Sequence, residues 1–273
     1  MNPFSYYKPS LGGSWLLFGL LLVGGIVAAG FAAFWKGVPQ SFAYAVTMLP
    51  PILFCWWEGR REQAYGESPV ALDAPHFGHL PGWAVFALAA IAMLSLSVVA
   101  EPATSFLPMP DLIKAAFEEA FVNSALWDMI LSACILAPLL EEFLCRGMML
   151  RGMLANGKKP WKAIFWSAFL FAVMHLNPWQ SIPAFLIGLL LGWVYWRTRS
   201  LWLPIFLHCL NNVTATILSR MRPDLEIDAG LRDLLTPTAW WTVFGIATVL
   251  LFLTLYILYE KTLSPEVQAP LDA

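Results

Sequence analysis

Residues 125–151 read ALWDMILSACILAPLLEEFLCRGMMLR. The run is long and apolar enough to cross a bilayer, which takes about 20 residues at ~1.5 Å each. It nevertheless contains Glu141, Glu142 and Arg146, groups whose placement in hydrocarbon costs on the order of 3 kcal/mol each. The rest of the chain decides how to read that conflict. Its 273 residues are 59% hydrophobic and 12% charged, with mean hydropathy +0.66, where a soluble domain carries roughly 25% charge. A water-soluble fold would lack the polar residues to cover its surface. The expected fold class is all-α, a polytopic membrane helix bundle, with membrane lipids as its surroundings. A net charge of −2 and this composition exclude disorder and a nucleic-acid-binding surface.

Working outward, apolar runs between charges and turn residues give about eight transmembrane helices, near 15–35, 42–57, 83–100, 125–150, 161–178, 181–196, 201–219 and 239–259. The first run is long enough to span rather than be removed as a signal. The second is short and holds Pro50-Pro51. Residues 58–82 read as a loop, and 101–124 as a connection holding an interfacial helix. The chain divides into N-terminal helices and loops (1–124), a core (125–219), and a loop with a C-terminal span (220–273). Cys55, Cys134, Cys145 and Cys209 lie in or beside apolar segments, without CxxC spacing, and read as small buried hydrophobes.

Orientation follows the basic residues. With the N-terminus inside, the cytoplasmic segments hold Lys8, Arg60, Arg61, Arg151, Lys158, Lys159, Lys162, Arg197, Arg199 and Lys261. The other side holds Lys36, Lys114, Arg220, Arg222 and Arg232, and shares its last loop with Asp224, Glu226, Asp228 and Asp233. Both termini are therefore expected in the cytoplasm.

Two further polar clusters interrupt apolar helices: Phe171 to His175, and His208 to Asn212. Measured from the basic residues at the cytoplasmic ends, Glu141, His175 and His208 lie roughly 15, 20 and 14 Å deep. That common level, leaning towards the cytoplasm, predicts one shared polar chamber. Glu142 and Arg146 are i and i+4 with the acid first, the favourable order for an ion pair. Glu141, about 100° round the helix, points elsewhere. His208 and Asn212 share a face by the same spacing. Pro138 removes a backbone hydrogen bond one turn before Glu141.

This set suits peptide hydrolysis, which needs an activated water, donors for the developing oxyanion and a proton for the leaving amine. Glu141 with His175 fits the base, His208 and Asn212 the oxyanion donors, and Arg146 the support of Glu142. A serine GxSxG elbow and an aspartyl GxGD pattern are absent. Glu141, His175 and His208 are also zinc-ligand types, although HExxH is missing, so zinc is the one cofactor the pattern admits. Phe171 reads as packing and Asp128 as interfacial. His76 and His79 read as loop residues.

Glu141-Glu142-xxx-Arg146, Phe171-xxx-His175 and His208-xxx-Asn212, in that order on three apolar helices, resemble the motifs of the CAAX-protease and bacteriocin-processing (abortive-infection) intramembrane proteases. The Ser200-Leu201-Trp202-Leu203-Pro204 stretch looks like that family too, and the resemblance covers roughly 130–215. It implies an eight-helix endopeptidase with a chamber open to the cytosol. It assigns Glu141 and His175 to water activation, Glu142 and Arg146 to their support, and His208 and Asn212 to the oxyanion. Eukaryotic members trim three residues from prenylated CAAX proteins, and prokaryotic members are linked to peptide maturation and bacteriocin immunity. Both metal-dependent and metal-independent chemistry have been ascribed to them. The expected substrate is a membrane-associated protein or peptide, and the expected location a prokaryotic cell (inner) membrane, crossed several times. The same buried charges also suit an ion- or proton-coupled transporter, although the repeats and paired broken helices of many transporters are missing. A non-catalytic scaffold or immunity protein is the third reading.

Overall fold

A computed structural model describes residues 2–105, 107–119, 124–221 and 230–262. Among these the chain is all-helical, with eight long helices: α1 (Leu11–Phe34), α2 (Gln40–Ala64), α3 (Gly82–Ala100), α4 (126–155), α5 (Pro160–Val173), α6 (Pro178–Thr198), α7 (Trp202–Met221) and α8 (Pro237–Lys261). Leu11–Phe34, Gly82–Ala103, Pro178–Thr198 and Pro237–Lys261 are long and apolar enough to cross a membrane, and Pro160–Val173 is a shorter apolar helix. The polar groups of the candidate site lie on α4 and α7 and in the turn after α5.

Successive helices run antiparallel between two ends of the bundle. A strap, residues 65–81, ties the near end together through main-chain bonds: Val70 N–H to Ser5 O, Ala74 N–H to Arg199 O, His76 N–H to Thr198 O and His79 N–H to Lys261 O, at 2.7 to 2.9 Å. Both described termini therefore lie at this end. At the far end Trp179 Nε1 donates to Leu107 O at 3.1 Å, Arg220 to Ser124 O at 3.0 Å and Arg232 N–H to Glu101 at 2.8 Å. The basic residues sorted by sequence into two sets occupy these two ends; Arg222, Asp224, Glu226 and Asp228 lie outside the described residues.

Several expectations need correcting. The second helix is not short: α2 continues through Glu58 to Ala64, taking five polar residues assigned to the loop. Its Pro50-Pro51 pair leaves carbonyls without helical partners. One of these, Thr47 O, points at Gly24 of α1, where a Cβ would come within 2.2 Å of it; glycine is required there for the α1–α2 approach. The fifth helix stops at Val173, not 178, because Pro178 disfavours a helical residue before it and Asn177 caps α6 by accepting from Gln180 N–H. Leu176 completes the break at φ 56°.

Arg151 and Arg197 are not loop charges but are buried, 1% and 5% exposed. The five N–H groups of Arg151 meet five carbonyls, those of Gly147, Ser5, Val70, Phe4 and Tyr7, at 2.6 to 3.2 Å. This pins the N-terminal segment and the strap onto α4. Asp128, expected at an interface, is buried too. It accepts the Gln40 and Ser41 N–H groups at 2.6 and 3.0 Å, two of the donors that the first turn of α2 cannot satisfy within itself.

Candidate active site

The residues 126–155 form one unbroken helix, but it is not regular. Ile130–Leu136 and Phe143–Leu150 are π-helical, flanking the α-helical turn Ala137–Glu142 that carries both glutamates. Such wide turns occur frequently at functional sites. The register explains one contact. Ala137 N–H bonds to Ser132 O, five residues back. The next donor in that pattern would be residue 138, and proline has none. Ala133 O is thereby freed, and Asn212 Nδ2 of α7 donates to it at 2.8 Å. Asn211 in turn donates to Asn212 Oδ1 at 3.3 Å and accepts from Ser97 of α3 at 2.8 Å. That chain fixes the orientation of the Asn212 amide and leaves it one further N–H.

Glu142, fully buried, is the hub. Its Oε1 accepts from Arg146 Nη1 at 2.8 Å and from His208 Nδ1 at 2.9 Å. The ion pair anticipated from the i, i+4 spacing is present, and α7 joins it through His208. Arg146 donates its other terminal nitrogen to Gly188 O of α6 at 2.9 Å, and its guanidinium lies 4.6 Å from the Phe171 ring centroid. A side chain at Gly188 would press on Ala168 and Phe171 of α5, so the bare backbone is what brings this carbonyl to Arg146.

Glu141 points away from that pair, as its position on the helix requires. Its Oε1 accepts from Tyr44 of α2 at 2.7 Å. Its Oε2 has no hydrogen-bond partner and lies 4.0 Å from His208 Nε2. Glu142 Oε2 and Arg146 Nε are likewise buried and unpartnered. Unsatisfied buried polar atoms are rare in folded proteins; three of them here belong to adjacent motif residues.

His175 is the outlier of the set. It sits in the turn after α5, half-buried, with Nδ1 on Phe171 O at 3.0 Å. A carbonyl only accepts, so Nδ1 carries the proton and the neutral ring keeps a lone pair on Nε2. No hydrogen bond joins His175 to Glu141 among the described residues. Phe171 stands between the two imidazoles, with ring centroids 5.3 Å from His175 and 5.5 Å from His208. It packs, as expected, but against three site residues at once.

The structure thus brings Glu141, Glu142, Arg146 and His208 into contact and sets Asn212 one turn further along α7. His175 approaches through Phe171. The lean towards the near end is not seen along every helix: Tyr44 lies four residues inside the far end of α2, and His175 two residues beyond the end of α5. The helix that starts beside Lys162 is only 14 residues long and ends before His175. Sequence reasoning missed Tyr44 because a single tyrosine on an apolar helix carries no spacing signal. Among the described residues no group of three or more His, Cys, Asp or Glu side chains, Glu141, His175 and His208 included, is placed to hold a metal ion.

Residues 123–214 match the family model described as type II CAAX prenyl endopeptidase Rce1-like. The chain carries an Rce1-like segment. It spans about a third of the sequence and holds all six candidate residues, Glu141, Glu142, Arg146, His175, His208 and Asn212. At the level of the family the activity is that of a CAAX-type intramembrane protease. Tyr44, on α2, lies outside the Rce1-like match. No curated protein and no solved structure matches the chain.

Proposed function

We propose that this chain is an intramembrane endopeptidase that cleaves a peptide bond of a membrane-associated peptide, the prenylated CAAX tail being its substrate class, by glutamate-activated water. The observation that carries the reading is Glu141 Oε2, a buried carboxylate oxygen without a partner, facing His208 Nε2 across 4.0 Å. That gap suits one bridging water better than a direct contact.

In the proposed reaction Glu141 Oε2, aided by the free Nε2 of His175, takes a proton as the water oxygen bonds to the scissile carbonyl carbon. The carbonyl oxygen becomes an oxyanion, which the second N–H of Asn212 and His208 Nε2–H stabilise. His208 donates there only when both ring nitrogens carry protons. As the C–N bond breaks, the proton held by Glu141 passes to the amine nitrogen. Glu142 and Arg146 hold His208 and the α4–α6 contact in place. No step involves zinc. We further assign the near end, with its basic residues and both described termini, to the cytoplasm.

Mass spectrometry of a farnesylated CAAX peptide, incubated with the protein in liposomes, tests this. The expected product lacks the last three residues, forms at the same rate after exhaustive chelation, and disappears with His175→Ala. An intact peptide, or ion flux into the liposomes that is lost with Glu141→Gln, would contradict the proposal.

A further inference from the structure

We infer that Tyr44 is a positioning residue for the base, holding Glu141 Oε1 so that Oε2 is the oxygen left to take the proton. The inference rests on the reading of Glu141 as that base. Rotation of a glutamate carboxylate about its last bond is soft and roughly two-fold, so the helix alone does not choose between the two oxygens. The Tyr44 hydroxyl makes the choice: it donates to Oε1 at 2.7 Å, while Oε2 stays unpartnered.

Tyr44 is itself held in register. Asp128 of α4 accepts the Gln40 and Ser41 N–H groups of α2 at 2.6 and 3.0 Å, and also the Ser41 hydroxyl. Tyr44 lies three residues after Ser41, and Glu141 thirteen residues after Asp128. The two helices are thus joined twice, once by a carboxylate that caps α2 from outside and once by the hydroxyl that reaches the site. A side chain outside the matched third of the sequence thereby supplies a contact to its central carboxylate.

A general base must lie within hydrogen-bond reach of its proton, roughly 2.6–3.2 Å, and a misplacement of about 1 Å costs on the order of a hundredfold. The test uses the full chain in lipid nanodiscs with the farnesylated CAAX peptide, comparing Tyr44→Phe, Glu141→Gln and the double variant. Tyr256→Phe, which removes an exposed hydroxyl on α8, serves as control. Rates are taken per folded molecule. Tyr44→Phe is expected to lower kcat about ten- to a hundredfold with KM unchanged. The double variant should be no slower than Glu141→Gln alone, which a separate structural defect would not produce. The carboxylate stretch lost from the infrared spectrum in Glu141→Gln should move in Tyr44→Phe and stay fixed in Tyr256→Phe. Wild-type kcat in Tyr44→Phe, or an unmoved band, overturns the inference. If the wild-type protein leaves the peptide intact, the peptidase reading fails, and the infrared band alone decides the role of Tyr44.

Discussion

Arg146 and Arg151 lie five residues apart on α4 and are equally buried, 0% and 1% exposed, yet one sits among carboxylates and the other among carbonyls. Arg151 has an acceptor for each of its five N–H groups, drawn from the N-terminal segment, the strap and its own helix. Arg146 pairs with Glu142 and Gly188 O and keeps Nε unused, beside two carboxylate oxygens that are also unpartnered. Burial therefore does not distinguish a scaffold charge from a site charge. Satisfaction does. A fully bonded group is locked into one arrangement, whereas spare donors and acceptors in a closed space are available to a substrate and a water.

That contrast is broken or sharpened by paired substitutions. Arg146→Met leaves Glu142 buried without its counter-charge and is expected to lose cleavage and about 3–5 kcal/mol of stability together. Denaturation in mixed micelles, alongside peptide cleavage, measures both. Arg151→Met strands five carbonyls, some of which water reaches at the bundle end, and is expected to cost about 3 kcal/mol. Cleavage per folded molecule should stay at the wild-type level; its loss would show that the two regions are not separable. The smallest effect concerns Ala133 O. Asn212→Leu should destabilise by about 1 kcal/mol through that orphaned carbonyl. Pro138→Ala, which restores a backbone N–H, should recover much of this in the double variant without restoring cleavage. An uncoupled pair would remove the π-register account of Asn212.

The distribution of legible and illegible features follows the reach of a sequence pattern. Spacing within one helix found the Glu142–Arg146 pair and the divergence of Glu141, because 3.6 residues per turn fixes both. The common depth of the glutamates and of His208 found their meeting across α4 and α7. His175 lies against Phe171, in the turn after α5 and not on the helix the apolar run suggests, since the Asn177-Pro178 break outweighs that run. Contacts between segments distant in sequence were invisible: Tyr44 with Glu141, Asp128 with the first turn of α2, and Arg151 with the strap. Arg151 also misled, for a charge at the edge of an apolar run reads as solvated unless carbonyls from elsewhere enclose it. The π turns of α4 have no composition of their own. Their only trace was Pro138, which marks where the register change leaves a carbonyl free.

Glu141 Oε2, the oxygen without a hydrogen bond, is proposed to do chemistry instead of holding the bundle together. Glu141→Gln keeps the shape and an acceptor for Tyr44 while removing the charge and the proton-accepting oxygen. The deciding measurement is its single-turnover cleavage of a farnesylated CAAX peptide in nanodiscs, with thermal unfolding recorded on the same sample. The account predicts a rate at least about a thousandfold below wild type, within the range general-base removal produces, and an unchanged unfolding midpoint. Cleavage at the wild-type rate by the folded Glu141→Gln protein would contradict it.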